Sequence, residues 1–452
     1  MVLADVAYDP AVPRMRALSA DRPAPTPSSG GRASAVPADD SLDALVRILD
    51  DVRLGHARSR GELVALTGLG RGVVAERVGQ LLERRLLVEE GLGSSTGGRP
   101  PRSLRFVDEA GHLLVADVGA TGMRVAMTTL GGRLIAHRAE PTDVALGPEP
   151  VLRQVEVLFR ALVDAVGPAA PGRLWGIGIG VPGPVEFRTG RPVAPPIMPG
   201  WNDYPIRAYF ADRHRVPVWV DNDVNIMALG ELRTGGAAGH ENVVVVKVGT
   251  GIGAGIVSEG RLHRGAQGSA GDVGHIQVSE DPEVVCRCGN RGCLEALAGG
   301  AAIARQGEAA ARDGRSPWLA ATLADSGRIT AADVAREASR GDPVAVDILQ
   351  AAGRLVGAML ASVVNFFNPS LIVIGGGVAG SGDLLLASIR ETVYRRSLPL
   401  ATRDLAIRLS SLGDLAGVNG AAVMVADQLF NRDVFARWVD AGSPAGMPGI
   451  VA

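Results

Sequence analysis

The sequence predicts an α/β protein in which a small helical module precedes a long body of alternating strands and helices. Three observations carry this reading. Helical apolar stripes crowd residues 41–85, whereas from His112 to about Phe430 short apolar runs of strand character alternate with helical periods. Of the 452 residues, 46% are apolar and 21% charged, which suffices for about two or three buried cores and excludes a wholly disordered chain.

Residues 1–40 mix Pro, Ser, Gly and Ala, most densely between Arg22 and Gly31, and show no apolar period; they are expected to form a disordered leader. Asp5, Asp9, Arg14 and Arg16 interrupt any signal-peptide core, and the chain holds no uncharged apolar run of the roughly eighteen residues a membrane span needs. These features predict a cytoplasmic protein with no membrane partner. The net charge of −2 excludes a generic polyanion binder, so any basic surface has to be local.

The pattern changes at Ser41. Leu42, Leu45, Val46 and Leu49 recur at i, i+3, i+4 and i+7, the stripe of an amphipathic helix. A second helix is expected over Arg60–Thr67, then a tight turn at Gly68-Leu69-Gly70. A third helix follows, burying Val74, Val78, Leu81 and Leu82 and leaving Arg71, Arg77, Arg84 and Arg85 elsewhere on its surface. Two helices joined by a short glycine-containing turn form a helix-turn-helix. Residues 86–88 and 104–107 read as strands flanking a Gly/Ser/Arg/Pro loop, which makes residues 41–107 a winged variant.

Residues 41–105 hold eleven Arg against eight Asp and Glu, a local balance of +3, so the rest of the chain stands at −5. Basic charge gathered on such a module is the footprint of a DNA-binding domain, because phosphate neutralisation supplies most non-specific affinity. Within the loop, Gly97-Gly98-Arg99-Pro100-Pro101 sets an Arg on a slim, extended backbone suited to a narrow minor groove.

The body is expected to span residues 108–430, with a weakly ordered tail over 431–452. Strands are expected at 112–118, 123–127, 175–181, 217–220, 242–248 and 371–374. Helices are expected at 151–162, at Pro343–Phe367, where Asn368-Pro369 stops the run, and at 418–430. Two Gly/Thr turns, one per half, stand out. Asp117-Val-Gly119-Ala-Thr121 and Gly249-Thr250-Gly251-Ile252-Gly253 each let backbone N–H groups approach a phosphate, which suggests a nucleotide clasped between paired lobes. Gly375-Gly376-Gly377 ends an apolar strand, where α/β sheets place ligands or simply turn. Asp221-Asn222-Asp223 lies between a strand and a helix; Asp223 there can take a hydroxyl proton, or Asn222 and Asp223 can cap the helix.

The sharpest local signal is Asp272-Val-Gly274-His275 followed by Cys286, Cys288, Cys293 and Glu295. Three thiolates and an imidazole within nineteen residues complete a Cys₃His tetrahedron, which suits a structural Zn2+ with no open position. Nearly every basic residue is Arg, with Lys247 the single lysine, a pattern expected of GC-rich coding.

In order and spacing these residues resemble the ROK family, named for repressors, open reading frames and kinases. The likeness covers roughly residues 112–430. It implies a two-lobed, actin-like ATPase (ribonuclease H-like) fold. By that likeness, Asp117, Gly119 and Thr121 fall in a first phosphate motif, Gly249, Thr250, Gly251 and Gly253 in a second, and Gly375, Gly376 and Gly377 in an adenosine motif. Gly183, Asn222, Asp223, Asp272, His275 and Glu295 fall on a sugar site, and Pro199-Gly-Trp201 on a segment leading toward it. The sequence departs from the family pattern at Asp272, where Glu is usual, at Ala120 and Gly122 of the first motif, and at Gly70 and Gly72, where family regulators often carry Ser and Thr. Glu76 adds a negative charge to the third helix.

Together the winged helix and the resemblance imply a sugar-responsive transcriptional regulator, a repressor of carbohydrate-metabolism genes. It is expected to bind operator DNA as a homodimer or homotetramer, with a sugar or sugar phosphate effector in its cleft. Arg71 and Arg77 are expected at the major groove and Arg99 in the minor groove. The alternative is an ATP-dependent sugar kinase, of glucokinase or N-acetylhexosamine kinase type, using Mg2+ and ATP with Asp223 as base and carrying a DNA-binding appendage. A scaffold for another protein is a third reading.

Overall fold

The computed structural model describes residues 38–91, 102–379 and 383–451. The expected leader and Arg99 lie outside these residues, apart from the start of the first helix. That helix, α1, runs Ala38–Arg53, followed by α2 (Arg60–Thr67) and α3 (Arg71–Glu83). Ser59 caps α2 by accepting from Glu62 N, and Gly68, at φ 71°, closes it by donating to Val64 O. Strands β1 (Leu87–Glu90) and β2 (Ser103–Phe106) pair antiparallel, Leu87 opposite Phe106. Ile48, Leu49, Leu63, Val74, Val78 and Leu81 form the fully buried centre of this winged helix.

The body begins with β3 (Gly111–Val118), β4 (Gly122–Thr129) and β5 (Leu134–Pro141). Helix α4 (Pro148–Val166), β6 (Arg173–Val181) and the short pair β7 (Val185–Glu186) and β8 (Arg191–Pro192) follow. Next come α5 (Ile206–His214), β9 (Val218–Asn222) and α6 (Asp223–Thr234). The first sheet has the order β5-β4-β3-β6-β9, with β3, β4 and β5 antiparallel and β6 and β9 parallel to β3.

The second half repeats this plan with β10 (Val243–Val248), β11 (Ile252–Ser258) and β12 (Arg261–His263), then α7 (Leu294–Ala298), α8 (Gly300–Arg312), α9 (Pro317–Ser326), α10 (Ala331–Ser339) and α11 (Pro343–Phe367). Strand β13 (Leu371–Gly375), α12 (Asp383–Arg396), α13 (Pro399–Thr402), β14 (Ala406–Leu409), α14 (Ala416–Leu429) and α15 (Arg432–Trp438) complete it. Its sheet has the order β12-β11-β10-β13-β14. Two five-stranded sheets of one topology make the two lobes of an actin-like fold, and the glycine turns β3–β4 and β10–β11 occupy equivalent positions in them. Helix α11 is long and apolar enough to cross a membrane by composition alone, but its Ile348, Leu349, Val356, Leu360 and Val364 are buried in the second lobe's core.

The tail departs from expectation. Instead of being weakly ordered, residues 432–438 form α15, with Phe435 and Trp438 buried. Trp438 meets Trp175 of β6 edge to face at 5.1 Å and Phe435 at 5.0 Å, while Phe430 meets Phe106 of the wing at 5.4 Å. This aromatic cluster makes the core of the winged helix continuous with that of the first lobe. Hydrocarbon that excludes water on both sides overrides the weak propensity of a seven-residue helix.

Candidate functional site

Both glycine turns line one cleft of about 150 Å³. Gly119 comes from the first, and Gly249, Thr250, Gly251 and Gly253 from the second; Gly183, Asn222, Asp223, Asp272, His275 and Glu295 line the same space. All six residues assigned to a sugar site therefore converge. Their positions follow from local rules. Asn222 is the N-cap of α6, its Oδ1 accepting from Val224 N at 2.9 Å, while its Nδ2 donates to Gly183 O at 2.8 Å. The capping reading holds for Asn222, and that cap fixes both the Gly183 turn and Asp223 as the first residue of α6.

Asp223 is not free. Lys247 Nζ donates to its Oδ2 at 2.7 Å, and the two side chains are 21% and 11% exposed. Burial works against the Lys247 ammonium, but Asp117 and Asp223 outweigh it and hold the group above the ordinary lysine range. Burial pushes the Asp117 carboxyl up, with Lys247 opposing. Asp117 lies under the first turn rather than in the cleft lining. A Cβ at Gly417 of α14 would stand 2.0 Å from its Oδ2, and its buried Oδ1 accepts no hydrogen bond among the described residues. Next to this pair, Asp221 Oδ2 accepts from Arg264 Nε at 2.8 Å, and Arg264 lies over the Phe187 ring at 3.9 Å.

Glu295 and His275 are held by the cysteine loop. The ligand atoms of His275, Cys286, Cys288 and Cys293 all lie within 4.8 Å of one another, with His275 Nδ1 3.6 Å from Cys286 Sγ and the sulfurs of Cys288 and Cys293 3.8 Å apart. Zinc–sulfur bonds of ~2.3 Å in a tetrahedron place sulfurs ~3.8 Å apart, so the four atoms fit a metal ion. Burial and the two neighbouring thiols push Cys293 up to about 12, and a divalent cation would hold it as thiolate. With Nδ1 turned to the thiols, His275 Nε2 is left toward Asp272, 3.8 Å from its Oδ1. Cys293 is also the N-cap of α7, and one residue into that helix Glu295 Oε2 accepts from Ile252 N at 3.1 Å. The carboxylate lies across Gly251, where a Cβ would stand 2.0 Å from Oε2; only glycine admits this approach.

Other expected residues fall elsewhere. Thr121 is exposed and outside the cleft lining. Gly375 and Gly376 are also outside it: a Cβ on the first would meet Met227 of α6 at 2.1 Å, and one on the second Val248 O at 2.5 Å, so both serve close packing. Gly377 is exposed and likewise outside the cleft lining. Trp201 is fully buried and donates to Val144 O at 3.0 Å, which makes it a core residue rather than a pocket wall. Sequence reasoning missed the role of Lys247 and the Arg264–Asp221 pair. The solitary lysine two residues before Gly249 was the one available signal; the partners of both cations are set by tertiary packing.

On the winged helix, Arg71 is exposed at the first turn of α3. Arg77 departs from expectation. Its side chain is 13% exposed and pairs with Glu76 at 2.7 Å, so it is folded against the helix. At the joint with the body, Arg53 of α1 donates to Asp427 Oδ1 of α14 at 2.8 Å, and Arg233 of α6 donates to Asp427 Oδ2 at 2.9 Å.

Residues 114–428 match the ROK family. The chain belongs to this family. Among relatives with names, the xylose repressor of Caldicellulosiruptor bescii is 31% identical over 382 residues, 84% of this chain and 94% of that protein. Among solved ROK structures, a transcriptional regulator described as a homologue of the E. coli MLC protein superposes with a TM-score of 0.76 at 27% identity, covering 89% of this chain and all of its own. A ROK glucokinase from Streptomyces griseus, solved with glucose and AMPPNP, gives a TM-score of 0.62 at 30% identity and covers 70% of this chain and 99% of its own.

Proposed function

We propose that this ROK protein is a sugar-responsive transcriptional repressor. One observation carries the reading: the winged helix shares a continuous core with the first lobe, so the DNA-binding module is a built part of the body and not a tethered appendage. The relatives support it, since the ROK regulator structure extends over 89% of the chain and the glucokinase over 70%.

In this reading a sugar enters the cleft between the lobes, contacted by Asp223, Asp272, His275 and Glu295. A structural Zn2+ on His275, Cys286, Cys288 and Cys293 fixes the last two of these contacts. Sugar changes lobe closure, and closure moves the winged helix against its partner in a homodimer on a palindromic operator in the cytoplasm. The exposed start of α3, with Arg71, enters the major groove. Arg99, outside the described residues, keeps its sequence-based assignment to the minor groove. Operator fragments selected from genomic DNA and titrated by fluorescence anisotropy test the reading. Arg71→Ala is expected to weaken operator binding by about 1–3 kcal/mol, and an unchanged midpoint rejects the assignment.

A further inference from the structure

Of the chain's 46 Lys and Arg residues, Lys247 is the one lysine. It sits at the C-terminal end of β10, two residues before the second glycine turn, with its Nζ 2.7 Å from Asp223 Oδ2. Asp223 is the residue a kinase would use as base, and Asp117 is the carboxylate beneath the facing turn. A fixed ammonium bound to Asp223 and acting on Asp117 fills the electrostatic place of a divalent cation and repels one that approaches.

The same bookkeeping bears on the ligand. Asp223, Asp272 and Glu295 bring three carboxylates to the lining, against one ammonium already committed and one imidazole turned to the thiols. Arg264, behind the lining, is spoken for by Asp221 and Phe187. A phosphate needs cationic donors with charge to spare, whereas sugar hydroxyls are well served by carboxylate acceptors. Resting on the proposed reading of the cleft as an effector site, we propose that Lys247 is the resident counter-ion of Asp223, so that the cleft receives an uncharged sugar and excludes both sugar phosphates and magnesium nucleotides.

The test compares wild-type protein with Lys247→Thr and Lys247→Met, each first checked for native melting and bound metal. Thermal shift is measured with D-glucose, D-xylose and N-acetylglucosamine, with glucose 6-phosphate and N-acetylglucosamine 6-phosphate, and with Mg·AMPPNP. In wild type the single lysine also gives one ¹⁵Nζ resonance, which reads the pair directly without any variant. We expect at least one neutral sugar to raise the melting temperature and move that resonance, with the phosphates and Mg·AMPPNP doing neither. The folded variant, or both, should bind Mg·AMPPNP roughly tenfold more tightly than wild type or better. A stronger response to a sugar phosphate, equal nucleotide binding by wild type and variants, or no response to any neutral sugar overturns the proposal. Operator binding is read separately by anisotropy. Operator binding by a phosphate-preferring protein sinks this inference alone; a neutral-sugar cleft on a protein that binds no operator sinks the repressor reading alone.

Discussion

Gly251 illustrates how single residues hold the cleft. The Glu295 carboxylate lies where a Cβ would stand, so Gly251→Ala shifts that carboxylate away from Ile252 N. Sugar affinity is expected to fall roughly tenfold with metal content unchanged, measured by calorimetry and metal analysis on one preparation; unaltered affinity contradicts the assignment of Glu295. The cysteine loop makes a complementary prediction. The proposed site is expected to hold one zinc per chain; Cys286→Ser removes a ligand, so the purified variant should lose that metal, and because His275 and Glu295 flank the same loop, its sugar affinity should drop with it. Zinc retained, or zinc lost with sugar binding intact, contradicts the link. The Cys₃His set and the glycine turn were legible in the sequence as local patterns, whereas Glu295 and His275 reached the cleft only through the resemblance to the ROK family. Lys247 was not legible, since its meaning lies in a carboxylate twenty-four positions away that only the fold brings to it.

At the scale of elements, legibility followed periodicity. Helix α2 and the 25-residue α11 match their expected bounds, because Ser59 with Gly68 and Asp342 with Asn368 punctuate them. Strand β5 escaped notice: it is an edge strand, with no fully buried residue to mark a face. Helices α8 to α10 were not among the expected elements, although α8 and α10 each present a clear apolar face to the second lobe's core, through Ile303 and Ala310 and through Val334 and Ala338. Helix α15 was too short to announce itself, yet it supplies Trp438 to the joint between winged helix and lobe. Trp438→Ala should therefore cost about 3–5 kcal/mol in denaturant unfolding, the range for removing a buried aromatic. A loss below about 1 kcal/mol, the typical cost of an ordinary substitution, shows that the joint does not bear on stability.

At the scale of the molecule, the lobes, the cleft and the winged helix meet through two helices. Helix α6 begins with Asp223 in the cleft and ends near Arg233; α14 begins against Asp117 and carries Asp427, which binds both Arg233 and Arg53 of the winged helix. The two cross where Gly230 and Gly420 bring backbones into contact: a Cβ on Gly230 would stand 2.3 Å from Ala416 O. If this glycine-tight crossing moves as a unit, a ligand that alters the Asp223 end biases the Asp427 end as well. Coupling of this kind is reciprocal by thermodynamic necessity. The most direct measurement is calorimetric titration of the activating sugar into free protein and into the protein–operator complex, paired with anisotropy of the operator with and without sugar. The account predicts that operator weakens sugar binding by the same factor by which sugar weakens operator binding, on the order of 5–150-fold. Sugar affinity identical in the presence and absence of saturating operator would contradict it.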